Sequence, residues 1–89
     1  MGTALLQLKV MPEQGTDLEK LKEQIKEKIA SVNGKVDKIE EKEVAFGLKS
    51  LIVTIVWPEE QETDKAENSI KEIESVSSID VVDYRKAFG

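Results

Sequence analysis

A chain of 89 residues, 39% hydrophobic and 35% charged, fits one globular domain over residues 1–89 with a single modest core. It has no cysteine and no histidine, which removes disulfides, thiolate chemistry, His-based zinc sites and histidine as a general base. The net charge of −5 argues against a duplex nucleic-acid binder, which carries a basic face.

The chain opens without a basic n-region, and its first apolar stretch is too short for a signal peptide. No segment approaches the roughly 18 apolar residues of a membrane span. The lack of cysteine suits a cytoplasmic protein. Residues 3–10 alternate, with Ala4, Leu6, Leu8 and Val10 on one side and Leu5, Gln7 and Lys9 on the other, the pattern of a half-buried strand. Pro12, Gln14 and Gly15 end it. Thr16-Asp17-Leu18-Glu19 reads as a capping box, with the Thr16 hydroxyl expected to accept from the Glu19 amide. Leu18, Leu21, Ile25, Ile29 and Val32 follow at helical spacing. Glu19–Lys22 and Glu23–Lys26 are favourable pairs on the wet side. Asn33-Gly34 supplies a left-handed C-cap.

Residues 35–44 read as a polar strand whose sizeable apolar side chains are Val36, Ile39 and Val44, with a bulge or frayed edge expected between 37 and 43. Residues 48–57 are the opposite: Leu51-Ile52-Val53-Thr54-Ile55-Val56-Trp57 is β-branched and nearly all apolar, a central strand. Pro58 stops it, and Glu59, Glu60 and Glu62 solvate the next loop. A second helix follows, capped by Thr63 or Asp64, with Ala66, Ile70 and Ile73 as its buried stripe. Residues 77–86 form the last strand, Ile79 and Val81 facing one way and Val82 and Tyr84 the other.

The order β-α-β-β-α-β is that of the ferredoxin-like split β-α-β plait, an α+β fold. Right-handed crossovers place both helices on one face of a four-stranded antiparallel sheet of order 4-1-3-2, strands 1 and 3 being the one exception to antiparallel pairing. Strands 1 and 3 are expected to run side by side in the same direction, with strands 2 and 4 opposed to them. One end of the sheet would then collect Phe46, Lys49, Arg85, Lys86 and Phe88, with the 46 and 86 sites roughly 10 Å apart. The acidic 59–64 loop would sit at the other end.

Both phenylalanines lie in the same tripeptide, Ala45-Phe46-Gly47 and Ala87-Phe88-Gly89. An aromatic ring beside a glycine at a turn or chain end is a contact residue in one reading. In the plainer one, Phe46 lids the core, Phe88 clips the last strand and the lysines are simply solvated. Gly47 suits a turn with positive φ in either case. The sequence lacks a P-loop and any Cys/His metal spacing, so no cofactor is expected. Its carboxylate runs (Glu40, Glu41, Glu43; Glu59, Glu60, Glu62) read as solvated faces rather than a metal or acid–base site. RNA-binding plaits stack bases on aromatics of the central strands. Here the first strand has none, and the third has only Trp57, which reads as packing at the strand end.

Val44-Ala45-Phe46-Gly47-Leu48-Lys49 before the apolar strand, the ending Ser78-Ile79-Asp80-Val81 and then Tyr84-Arg85-Lys86-Ala87-Phe88-Gly89, and the opening Leu8-Lys9-Val10-Met11-Pro12 together resemble one family over essentially the whole chain. It is the translation elongation factor 1-beta family, in its stand-alone archaeal form. The resemblance implies the plait fold, no covalent chemistry and guanine nucleotide exchange on elongation factor 1-alpha by displacement of Mg²⁺ and loosening of bound GDP. It also implies a cytoplasmic protein of translation whose partner is that GTPase rather than nucleic acid or membrane. In eukaryotic relatives, an aromatic in a Gly-aromatic-Gly-Ile-Lys turn packs on the partner; this chain matches with Phe46, Gly47, Leu48 and Lys49 and departs at Ala45. A lysine near the relatives' C-terminus enters the Mg²⁺ site. Counted without a gap from Asp80-Val81, Lys86 takes that place, with Arg85 as substitute; aligned on Ala87-Phe88, the lysine falls beyond this chain. A different class remains open: a small regulatory or ligand-binding plait acting as a homo-oligomer through edge strand 2 or the open sheet face. A phosphatase of the same fold needs an anion loop that the sequence lacks.

Overall fold

The computed structural model describes residues 2–44 and 47–88, the last two by backbone alone. The elements run β1 (Thr3–Pro12), α1 (Leu18–Ser31), β2 (Lys35–Glu43), β3 (Lys49–Pro58), α2 (Asp64–Lys71) and β4 (Val76–Phe88). They form one sheet of order β2-β3-β1-β4. Fold class and strand order are as the sequence implies.

Strand direction is not. β1 and β3 pair antiparallel, as do all neighbours in the sheet. The cause is topological. A helix carries the chain back across the sheet, so the strand after it runs the same way as the strand before it. The β2–β3 hairpin then reverses the direction once. β1 and β2 therefore point one way, β3 and β4 the other, and the adjacent strands β1 and β3 must oppose.

Alternation in β1 puts Ala4, Leu6, Leu8 and Val10 opposite Trp57, Ile55, Val53 and Leu51, all fully buried. Leu21, Ile25 and Ile29 of α1 and Ala66 and Ile70 of α2 close the core over that face. Each such side chain removed from water contributes about 1.5–3 kcal/mol for the larger ones. Opposite the helices, Gln7 Nε2 donates to Thr54 Oγ1 at 3.2 Å.

Local signals survive with shifts. The α1 cap is Asp17 rather than Thr16: its carboxylate accepts from the Glu19 and Lys20 amides at 3.1 and 3.3 Å, while the Thr16 hydroxyl donates to the Glu13 carbonyl. A charged acceptor one residue later fits the helix dipole better. Asn33 takes the left-handed turn (φ 67°), and the Asn33 and Gly34 amides donate to the Ala30 and Ile29 carbonyls. Gly34 serves packing instead: a Cβ there would stand 2.7 Å from Ile29 Cγ2 and 2.8 Å from the Trp57 ring. β2 is an edge with a register shift between Val36 and Lys38, inside a run of charged residues that discourages further strand pairing. β4 has a shift too: Val81 faces Leu8, Asp83 faces Gln7, and Val82 falls between. Val81 keeps Ile79's side, opposite Leu8, yet is exposed, and beyond the shift Tyr84 faces Leu6 and so joins that side rather than the opposite one.

Candidate functional site

The corrected strand directions separate the predicted site into two. The β2–β3 hairpin sits where β3 begins, and Lys86 sits where β3 ends, since Lys86 pairs with Ala4 and Ala4 with Trp57. The eight residue steps from Lys49 to Trp57 put these places roughly 25–30 Å apart along the strand, not 10 Å. The acidic turn after Pro58 lies beside Lys86 rather than opposite it: Lys86 Nζ is 2.9 Å from Glu59 Oε1.

Ala45 and Phe46 lie outside the described residues, so the expectation for Phe46 is carried by its flanks. The Val44 amide donates to the Leu48 carbonyl at 2.8 Å, closing the neck of the hairpin. Gly47 has φ +77° with nothing within 4 Å of where a Cβ would stand, so backbone conformation, not crowding, selects glycine. Val44 and Leu48 are half exposed, an apolar pair at a hairpin tip. A groove of about 310 Å³ runs from the tip to the β1–α1 turn, with Pro12, Gly15, Leu18, Gly47 and Leu48 among its walls. Lys49 leans on Glu41 Oε1 at 3.4 Å, while Lys22 of α1 donates to Glu41 Oε2 at 2.7 Å. Those bonds, Lys22 first, hold the Glu41 carboxyl below the usual carboxylate range. The lysines thereby tie the hairpin base to α1.

At the far end, alternation splits the basic pair. Arg85 faces Leu5 and Lys86 faces Ala4, so they point to opposite sides of the sheet. Arg85 Nε is bound to Asp83 Oδ2 at 2.8 Å. Lys86 keeps its side chain 71% exposed, and the hydrogen bond it donates to Glu59, followed by the charge of that carboxylate, holds its pKa above the ordinary lysine value. Phe88 continues β4 opposite Thr3. Trp57, read as end packing, is that: its ring is fully buried and its Nε1 donates to the Gln61 carbonyl at 3.0 Å. Gln61 Nε2 in turn donates to the Val32 carbonyl at 2.6 Å, which fixes the turn holding Glu59.

Glu59 and Glu41 were legible only as solvating carboxylates. The signal for Glu59 was available: correct strand directions alone bring the residue just after Pro58 to the end of β4. A larger groove, about 780 Å³, runs between α1 and residues 72–75 under the Lys28–Glu72 pair, away from both ends' candidates. Among the described residues no three carboxylates converge to hold a metal ion, and no helix is long and apolar enough to cross a membrane.

Comparison with known proteins gives the family. The EF-1 guanine nucleotide exchange domain matches residues 5–87. The chain is 42% identical to an elongation factor 1-beta of Methanothermobacter thermautotrophicus, over 97% of this chain and 98% of that protein. It is 44% identical to the one of Methanosarcina barkeri, over 96% and 99%, and 38% identical to the one of Staphylothermus marinus, over 91% and 92%. With relatives matched end to end and a family model spanning nearly every residue, the chain belongs to the EF-1 guanine nucleotide exchange domain family and is a guanine nucleotide exchange factor of translation elongation.

Proposed function

We propose that this protein accelerates the exchange of GDP for GTP on elongation factor 1-alpha, in the cytoplasm during protein synthesis, without covalent chemistry of its own. The match of the exchange domain across residues 5–87 carries this reading. In it, Lys86 is the cation that competes with Mg²⁺ at the bound nucleotide, Arg85 is its substitute, and Phe46, Gly47, Lys49 and Phe88 bind the partner.

The electrostatics of Lys86 support its role. The Lys86 side chain is exposed at the tip of a strand and ion-paired to Glu59 on one side, so its remaining donors are open to a partner. A positive charge beside phosphate oxygens competes electrostatically with a metal ion there, and more strongly as the pocket is dehydrated. Arg85 stays the substitute: it points to the other face of the sheet and, like Lys86, is exposed and paired to one carboxylate, here Asp83. The exposed apolar neck of the hairpin, Val44 and Leu48, supports a contact surface at the opposite end. A partner engaged by both ends must present two surfaces some 25–30 Å apart, because strand length alone keeps them separate. Exchange then follows from linkage: a factor that binds the nucleotide-free GTPase more tightly than the loaded one promotes release in either direction.

The test is release of a fluorescent GDP from elongation factor 1-alpha. Acceleration by this protein is expected, and its absence sinks the reading. Lys86→Ala should slow release with little loss of binding, while Phe46→Ala should weaken binding. Unchanged release in Lys86→Ala would favour Arg85, or the alignment on Ala87-Phe88 that leaves the relatives' lysine without a counterpart in these residues.

A further inference from the structure

We propose that Glu59 is a positioning residue for Lys86: anchored to the start of β1 through its own backbone, it aims the lysine ammonium out from the end of β4. This rests on the reading of Lys86 as the cation that displaces Mg²⁺. Glu59 touches both ends of the chain. Its amide donates to the Gly2 carbonyl at 3.1 Å, and its carboxylate accepts from Lys86 Nζ at 2.9 Å.

Three features make that contact a support rather than a chance surface pair. First, Glu59 is held. The Gln61 amide donates to the Pro58 carbonyl at 3.1 Å, and the Trp57–Gln61–Val32 bonds pin the turn to the core. The Glu59 side chain is only 25% exposed. Second, Lys86 needs holding. The β1–β4 register slips between Thr3 and Ala4, so the ladder is interrupted beside the residue that must act. A long lysine side chain beside such a shift samples many rotamers, and a fixed carboxylate removes most of them before docking. Third, the arrangement leaves the ammonium usable. It has three donors, Glu59 takes one, and the side chain stays 71% exposed. Protein kinases work the same way, through a lysine that contacts phosphates while ion-paired to a glutamate. The raised pKa of Lys86 is consistent with such a partner.

The experiment measures fluorescent GDP release from elongation factor 1-alpha against the concentration of this protein, for the parent, Glu59→Ala, Glu59→Gln, Lys86→Ala and the Glu59→Ala/Lys86→Ala double variant. Circular dichroism confirms that each is folded. Glu59→Ala should slow release at saturation about two- to fivefold, the range an exposed ion pair gives, with unchanged half-saturation. Glu59→Gln, which keeps a hydrogen-bond acceptor, should retain part of the rate. In the Lys86→Ala background, Glu59→Ala should add nothing. Four results overturn the proposal. Parental rates in Glu59→Ala with slow release in Lys86→Ala leave the Lys86 reading standing without Glu59. Faster release in Glu59→Ala makes the carboxylate a restraint. An equal further loss in the double variant makes the effect independent of Lys86. Parental rates in Lys86→Ala remove the reading on which the inference rests.

Discussion

The two ends of this sheet are built on different principles. The end with Lys86 is wired into the core: a buried indole, a glutamine reaching the helix cap, a glycine under the indole ring and a carboxylate holding the lysine. The end with the β2–β3 hairpin leaves apolar Val44 and Leu48 half exposed, around a glycine with nothing crowding it. Electrostatic work at a nucleotide needs a charge held in place, whereas a surface that meets another protein needs exposed apolar area. The contrast predicts that substitutions at one end cost folding and at the other cost association.

Trp57→Ala should have the largest effect. It empties a fully buried site at the lysine end and should lower stability by about 3–5 kcal/mol in denaturant titrations followed by circular dichroism. A loss near zero would mean that the turn holds Glu59 without the indole. Gly34→Ala comes next. Its new Cβ would press on Ile29 and the Trp57 ring, and overpacking of this kind costs about 1–3 kcal/mol. Gly47→Ala has open space around it, so the cost is the positive φ alone, about 1 kcal/mol. Leu48→Ala sharpens the contrast most: stability should stay within about 0.5 kcal/mol while affinity for elongation factor 1-alpha, read by titration, falls. If Leu48→Ala unfolds the chain as readily as Gly34→Ala, the hairpin end belongs to the core and the comparison fails.

Periodicity made most of this molecule legible. The alternation of β1, the apolar run of β3 and the stripes of both helices gave the core nearly residue for residue, because burial is a local pattern repeated at a fixed period. Two things escaped it. The Thr16 cap moved to Asp17 because neighbouring hydroxyl and carboxylate compete for the same amides, and their spacing does not rank them. Strand direction escaped because no residue encodes it. It follows from the number of chain reversals: the one reversal at the β2–β3 hairpin sets β3 against β1 and puts that hairpin and Lys86 at opposite ends. The shift at Val82 had a similar effect on a smaller scale: one extra residue in β4 put Tyr84 opposite Leu6, on the side of Ile79 and Val81. The candidate residues were thus legible in the chain, but the separation of the two ends that carry them comes from the sheet.

The smallest expected effects are in the ion pairs, and they distinguish the ends by the side of the pH scale on which they fail. Near the hairpin, Lys22 and then Lys49 hold the Glu41 carboxyl below its ordinary value of 4.5. A depressed folded pKa stabilises above the unfolded value, and the contribution is lost as pH falls through the folded one. Glu41→Gln should therefore flatten part of the acid decline in denaturation midpoint below about pH 4.5. At the other end Glu59 raises Lys86 above its ordinary 10.5, and the sign reverses: that contribution is full below 10.5 and lost as pH rises through the folded value. Glu59→Gln should alter the alkaline limb above 10.5, read as the difference from the parent curve, because other lysines titrate there too. Both pairs are solvent-exposed, so each change should be slight and should shrink as salt is added. A Glu41→Gln curve that parallels the parent throughout the acid range would show that the hairpin base is held by the β2–β3 ladder alone, with Lys22 and Lys49 as passengers.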